Sequence, residues 1–383
     1  MKTSAPPKYQ LVYDALAHEI RTGRWKGGDR LPSEAALGTQ FSASRITVGR
    51  AVKDLQLAGL VERRAGSGTY VKTPAASRAL SFGLLIPDLG ETDIFEPICQ
   101  GMMGAPLARR HALVWGSPTG VGGTKEERAW DLCRQYIERR VSGVFFAPLE
   151  LLPEKDEVNQ RIAHALDRAR IPVVLLDRTV APYPDRGHHD LVGIDNRQAG
   201  YLVTEHLLRL GSRRIAFVAR PNAAATVDAR ESGYREALQR WNVPFDPALV
   251  RRLDPTDAAS MRSLMDGDVQ GPTGGAKGGP KADDRPEAIV CANDWTAARL
   301  MHTLIELGHA VPGDVRMVGI DDVPYASLLP VPLTTLRQPT RQIGAVALGA
   351  MLDRLAQPDL PTRDILLHGE LIVRSSCGSG RTS

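Results

Sequence analysis

Residues 31–71 constrain this chain more than any other stretch, reading LPSEAALGTQFSASRITVGRAVKDLQLAGLVERRAGSGTYV. Ser33 suits the cap of a short helix, and Glu34 complements that helix's positive end. Ala36, Leu37 and Phe41 are expected to face inward. Ser44 caps a second helix whose buried side is Val48, Ala51, Val52 and Leu55, and Gly59 ends it. Two strands follow, 60–64 and 69–71, joined by the glycine-rich tip Gly66-Ser67-Gly68. Ahead of these, Tyr9, Val12, Tyr13, Leu16 and Ile20 fall at helical spacing, with Pro7 in the first turn and Gly23 as the stop. A helix, two capped helices around a tight turn, and a ribbon predict a winged helix-turn-helix.

The open face of the second capped helix carries Arg45, Thr47, Arg50 and Lys53. Residues near the start of such a helix reach base edges in the major groove, so Arg45 suits a guanine edge and Thr47 a hydroxyl contact. Arg50 and Lys53 suit phosphates, as do Ser33 and Ser44 with their neighbouring backbone N–H groups. Arg63, Arg64, Gly66 and Thr69 form the wing, whose glycines allow close approach to a sugar-phosphate backbone. Charge agrees: residues 1–78 hold 13 Lys/Arg against 6 Asp/Glu, whereas the whole chain is only +4. A helical protein-interaction domain is the alternative reading of this head.

Leu31-Pro32-Ser33-Glu34, Ser44-Arg45-x-Thr47-Val48 and Gly66-x-Gly68-Thr69 resemble the signature of GntR-type bacterial regulators, over about residues 7–72. The resemblance implies a dimer that reads a short palindrome in double-stranded operator DNA, with Arg45 and the wing near Gly66 in contact. Two positions depart from it: arginines common in the family are replaced by Ala35 and Gly49.

From residue 80 the pattern changes. Short apolar runs at 82–86, 112–115, 144–147, 173–176, 192–194, 215–218, 288–291 and 315–320 alternate with helical stretches at 126–139, 159–169, 199–210, 230–241 and 295–307. That alternation predicts an α/β body of parallel sheets in two lobes, with ligands beyond the carboxyl ends of the strands. Polar residues stand there: Asp88 and then Phe95, Asp177-Arg178, Arg230 at a helix start, Asn293-Asp294-Trp295 and Asp321-Asp322. Carboxylate, amide and guanidinium groups with aromatic plates suit a polyhydroxylated ligand, because each hydroxyl both donates and accepts.

Phe82–Pro87, Asp195-Asn196-x-x-Ala199-Gly200, Arg230-x-x-Gly233-Tyr234, Asn293-Asp294, Val318-Gly319-Ile320-Asp321-Asp322 and Leu333-Thr334-Thr335-Leu336-Arg337-Gln338-Pro339 resemble the effector domain of LacI-type repressors. The resemblance implies a two-lobed, type I periplasmic-binding-protein-like fold in which Arg230, Asn293 and Asp321 bind the effector and Phe95, Arg178 and Trp295 line the cleft. It places hinges at 193–195, 322–325 and 336–339, and a homodimer interface on the helices at 95–109 and after Gly123. Joined to the head, the body resembles the arabinose-repressor subfamily of mosaic regulators. The expected divisions are a head at 1–72, a linker at 73–80, and a body at 81–377 with a flexible insertion at 267–286.

The expected function is a DNA-binding transcriptional regulator, a repressor of carbohydrate-utilisation genes released by a small sugar-like effector. An enzyme-like or receptor-like sugar-binding protein with an accessory DNA-binding head is the alternative. No G-x-S-x-G elbow, phosphate loop or dinucleotide fingerprint occurs, so no catalytic residue and no cofactor are expected. Cys99, Cys133, Cys291 and Cys377 are far apart and read as buried thiols, not metal ligands. His206 and the pair His188-His189 read as surface residues. With no signal peptide and no membrane-length apolar run, the expected location is the bacterial cytoplasm, at the nucleoid.

Overall fold

The computed structural model describes residues 8–21, 24–57, 59–64, 66–71, 79–86, 93–116, 123–185, 187–266 and 285–379. Pro7, Gly23, Asp88, linker residues 72–78 and insertion residues 267–284 lie outside them. Two compact units divide the chain at Ala79/Leu80.

The first unit contains α1 (Lys8–Arg21), α2 (Glu34–Gln40), α3 (Arg45–Leu57) and the antiparallel strands β1 (Val61–Arg64) and β2 (Gly68–Val71). Its core is Val12, Leu16, Ala17, Leu31, Leu37, Val48, Ala51, Val52, Leu55, Val61 and Val71. The expected apolar stripes therefore meet, except that Ala36 lies exposed on the outer side of α2. The backbone N–H of Leu31 donates to the Thr69 carbonyl at 2.9 Å, which ties the approach to α2 onto the wing.

The second unit has two lobes. One sheet has the order β4 (Ala112–Val114), β3 (Ser81–Leu85), β5 (Gly143–Phe146), β6 (Val173–Leu176), β7 (Asp190–Ile194) and β13 (Asp364–Leu367), all parallel. The other has the order β9 (Val250–Arg252), β8 (Ile215–Ala219), β10 (Ala288–Cys291), β11 (Arg316–Asp321), β12 (Thr334–Arg337) and β14 (Glu370–Ile372), with only β14 antiparallel. Each sheet thus runs outward from its first strand in both directions, which creates a crevice at the strand ends. The helices are α4 (Phe95–Gly104), α5 (Lys125–Glu138), α6 (Lys155–Arg168), α7 (Asn196–Arg209), α8 (Ala225–Arg240), α9 (Ala258–Asp266), α10 (Asp294–Glu306) and α11 (Thr340–Ala356).

Every strand and helix expected in the body is present within a few residues. Arg230 does not open a helix, however: α8 starts at Ala225 and places Arg230 in its second turn. The short strands β9, β13 and β14 were not expected: they span only three or four residues, all exposed or half-exposed, and the apolar runs in β13 and β14 are no longer than three residues. Helix α11 lacked an amphipathic signal because it is rich in small and apolar residues and lies between α4 and the first sheet. The chain crosses between lobes after β7, after β12 and between β13 and β14. The hinge expected at 322–325 is therefore wrong: β11 and β12 pair in one sheet, and the third crossing lies at 367–370.

Asp190 fastens the returning segment to the first lobe. Arg354 Nη2 donates to its Oδ1 at 2.9 Å, and Arg363 Nη2 donates to its Oδ2 at 3.2 Å. These bonds hold the carboxyl below its ordinary range despite burial, which acts in the opposite direction.

Candidate DNA-binding face and effector cavity

Capping sets the geometry of the head. Ser33 Oγ accepts from the Ala36 N–H at 3.2 Å, and Ser44 Oγ accepts from the Thr47 N–H at 3.2 Å. Ser44 Oγ also lies 2.8 Å from Thr47 Oγ1. Glu34 is the pivot of the face: it takes an ion pair from Arg63 of the wing and faces Arg45 at 3.7 Å. The Arg45 side chain is 84% exposed. Arg64 donates to Glu62 at 2.8 Å and lies over the Tyr70 ring. Arg50, expected to point at phosphates, lies 3.8 Å over the Tyr9 ring of α1 instead. Gly66 turns the wing at φ +73°, with open space where a Cβ would stand. Thr69 is half buried on β2. The sequence reading did not single out Ile46, which is 87% exposed beside Arg45 on α3; its place between Arg45 and Thr47 on the face carrying the candidate DNA contacts was the signal.

In the body, one cavity of about 280 Å³ gathers residues from both lobes. Asp93, Lys125, Glu150, Asp177 and Arg178 come from the first lobe, and Arg220, Arg230, Asn293, Trp295 and Asp321 from the second. Five of the six expected effector residues line it. Phe95 does not: it is 2% exposed in the core, with the Arg178 guanidinium over its ring at 5.3 Å. As the first residue of α4 its side chain turns inward beneath Arg178. Three lining residues were missed: Arg220 directly follows β8 and Glu150 stands four residues after β5, strand-end positions that could have found them, whereas Lys125 opens α5 and carried no such signal.

The cavity is a network of charges held in order. Arg178 pairs with Glu150 at 2.7 Å and with Asp177 at 3.3 Å. Arg230 Nε donates to Asn196 Oδ1 at 2.8 Å, its Nη1 donates to the Ala292 carbonyl at 2.6 Å, and its Nη2 lies 3.7 Å from Asp321. Gln338 donates to Asp321 Oδ1 at 2.7 Å. Burial pushes the Asp321 carboxyl up to about 8, and the nearby Asp294 carboxyl up to about 6. Asn293 caps α10 by accepting at Oδ1 from Thr296 N–H and Oγ1, which leaves its NH₂ as a donor. Asp177 Oδ1 is buried and has no hydrogen-bond partner among the described residues.

Backbone strain collects at the same place. Asp177 has φ +67°, Asp321 φ +132° and Asp322 φ +54°, a region that costs a non-glycine residue roughly 1–3 kcal/mol. Two hydrogen bonds span the lobes beside the cavity: Leu151 N–H to the Asn222 carbonyl at 2.7 Å, and Tyr325 O–H to Asp93 Oδ2 at 2.8 Å.

Outside the cavity, His188 lies at the surface as expected, whereas His189 does not. Each Nε2 lies 2.9 Å from an oxygen of Asp167, and His189 is buried. All four cysteines are buried. Burial pushes the Cys99 thiol up to about 11 and that of Cys133 up to about 12. Cys377 is the exception: burial acts to raise its thiol, but His206 at 3.3 Å, Ser379 and Thr334 together bring it down to about 6.

Residues 8–71 match the gntR family of bacterial regulatory proteins, and residues 204–377 match a periplasmic binding protein-like domain. The chain is 28% identical to the arabinose metabolism transcriptional repressor of Geobacillus stearothermophilus, over 98% of this chain and 99% of that protein. It is also 28% identical to the HTH-type transcriptional regulator CelR of Thermobifida fusca, over 87% of this chain and 89% of that one. The solved structure of a complex of the transcriptional regulator CelR with cellobiose matches with a TM-score of 0.63 at 26% identity, covering 97% of this chain and all of that one. Among the described residues no helix is long and apolar enough to cross a membrane. The chain is a DNA-binding transcriptional regulator that joins a gntR-family winged helix-turn-helix to a LacI-type, periplasmic-binding-protein-like effector domain.

Proposed function

We propose that this regulator represses carbohydrate-utilisation genes and that a small carbohydrate in the cavity releases it from DNA. The observation that carries the reading is the Asp177 carboxylate oxygen. Among the described residues it is a buried acceptor without a hydrogen-bond partner, set among guanidinium, amide and carboxylate groups from both lobes. A ligand hydroxyl supplies the missing donor and takes a hydrogen bond from Arg230 or Asn293 in return. Effector contacts are assigned to Arg178, Arg230, Asn293, Trp295 and Asp321. The solved relative that carries cellobiose supports this class of ligand.

The DNA contacts are assigned to Ser33, Ser44, Arg45, Thr47, Arg50, Arg63, Arg64, Gly66 and Thr69, with Ile46 against a thymine methyl group. For Arg50 this requires leaving Tyr9 on binding. The working form is a homodimer in the cytoplasm. Met103 and Leu107, 68% and 57% exposed at the end of α4 and in the turn beyond it, support an interface there. Coupling between effector and operator is reciprocal, and ~1–3 kcal/mol changes operator affinity roughly 5- to 150-fold. Fluorescence anisotropy with a labelled duplex from the regulator's own promoter region tests this. The expected result is tight binding that a carbohydrate weakens within that range. Operator affinity unmoved by every carbohydrate that binds the protein would overturn it.

A further inference from the structure

The cavity's charges are equal in number, with Lys125, Arg178, Arg220 and Arg230 against Asp93, Glu150, Asp177 and Asp321, but among the described residues they are not evenly paired. Glu150 faces three cations, since Arg178, Arg220 and Lys125 together hold its carboxyl below the ordinary range. Arg178 is already satisfied by Glu150 and Asp177. Arg220 is not: among the described residues it has no ion-pair or hydrogen-bond partner. Its guanidinium instead lies 4.1 Å over the ring of Trp295, whose ring also has Arg299 at 5.5 Å. Stacking occupies the flat face of a guanidinium and leaves the N–H donors on its edge free for a bidentate acceptor. Burial draws Arg220 below its ordinary value, and Glu150 and Asp254 offset this only in part.

Lys125 lines the same cavity from the opposite lobe, at the first turn of the fourteen-residue helix α5. Glu126 and Glu127 in the same first turn offset the positive end of that helix, so the cation there is the Lys125 side chain itself. Asp177, Arg230, Asn293 and Asp321 carry the hydrogen-bonding groups suited to hydroxyls. The cavity thus offers a hydroxyl-reading region and a region where Arg220, Lys125 and Arg178 outnumber Glu150.

We propose that the effector is an anionic carbohydrate, whose carboxylate or phosphate is held between Arg220 and Lys125 while its hydroxyls face Asp177, Arg230 and Asn293. This rests on the carbohydrate reading above and narrows it. The stack of Arg220 on Trp295 is a positioning device that presents the arginine edge to the anion.

Calorimetric titration of the full-length protein with matched pairs tests the proposal. The pairs are galacturonate against galactose, glucuronate against glucose, gluconate against glucose, and glucose 6-phosphate against glucose. The expected result is that at least one anionic member binds 10-fold or more tightly than its neutral partner, and that added salt erodes the difference. Arg220→Leu then removes the advantage of the anion, Arg220→Lys keeps part of it, and neither changes the circular dichroism of the free protein. Binding by the phosphate alone, or by carboxylates alone, identifies which anion the site accepts. Neutral members that bind as tightly as their anionic partners overturn the proposal and leave the carbohydrate reading standing. An Arg220→Leu variant with undiminished preference also overturns it. Binding by no member of any pair overturns this proposal and counts against the carbohydrate reading with it.

Discussion

Replacing Gly200 by Ala tests how the second lobe aims Arg230. Helices α7 and α8 touch backbone to backbone at two glycines. A Cβ on Gly200 would stand 2.0 Å from the carbonyl oxygen of Arg230, and one on Gly233 would stand 1.9 Å from that of Arg197. Real Cβ atoms essentially never come within 3.0 Å of another heavy atom, and ordinary contact begins at 3.4 Å. The helices must therefore open by about 1.4 Å at Gly200. Because the atom in the way is backbone, no rotamer change relieves the overlap. Burying one methyl returns at most about 0.8 kcal/mol. Overpacking of this kind costs roughly 1–3 kcal/mol, sometimes more. At about 2–4 °C per kcal/mol for a lobe of this size, the melting temperature falls by roughly 2–12 °C. Arg230 moves with its carbonyl, so its bonds to Asn196 and Ala292 are strained, and effector affinity falls at least 10-fold. Thermal melts of the parent and Gly200→Ala proteins, followed by circular dichroism, read the first effect, and effector titration reads the second. A variant that melts within one degree of the parent and titrates normally would refute the close-contact reasoning.

Other expectations follow the same logic. Arg45→Ala should weaken operator binding roughly 5- to 150-fold and leave effector affinity intact; anisotropy with unchanged operator affinity would remove Arg45 from the DNA face. Arg230→Ala should abolish the effector response while DNA binding persists, and a normal effector titration would take it out of the site. Asp190→Asn removes one partner of a buried ion-pair cluster, a loss of about 3–5 kcal/mol for such pairs. The Asp190 carboxyl is depressed in the folded state, so its contribution is present above the unfolded value near 3.9 and is lost as pH falls through the lower folded value. Denaturant melts should show the parent's advantage over the variant constant from pH 7 to about 4 and shrinking below that; an advantage that disappears already at neutral pH contradicts the assignment.

Much of the fold was legible because its signals are local. Ser33 and Ser44 cap because a hydroxyl placed before a helix meets its own N–H groups, whatever surrounds it. The buried strands announced themselves as apolar runs, because both faces of a parallel sheet are covered. Where the signal was non-local, reading along the chain failed. Helix α11 carries no amphipathic pattern, because its neighbours α4 and the sheet cover it. The third crossing went to the wrong place because β13 and β14, four and three residues long, are edge strands whose sequence does not show which sheet each joins.

Within the site the same division holds. Arg230, Asn293 and Asp321 were visible because each belongs to a motif or a strand end. Their company was not. Arg220 meets Trp295 seventy-five positions along the chain, and Glu150 meets Arg178 from a different strand. By itself the sequence determined the kind of protein, a winged DNA-binding head on a two-lobed ligand-binding body, because periodicity, capping and turn chemistry are properties of short segments. Only the tertiary structure decided which charges share a cavity, which of them has no ion-pair partner among the described residues, and that Phe95 lies in the core beneath Arg178. Pairing, burial and charge balance depend on residues brought together by folding, and no local pattern encodes them.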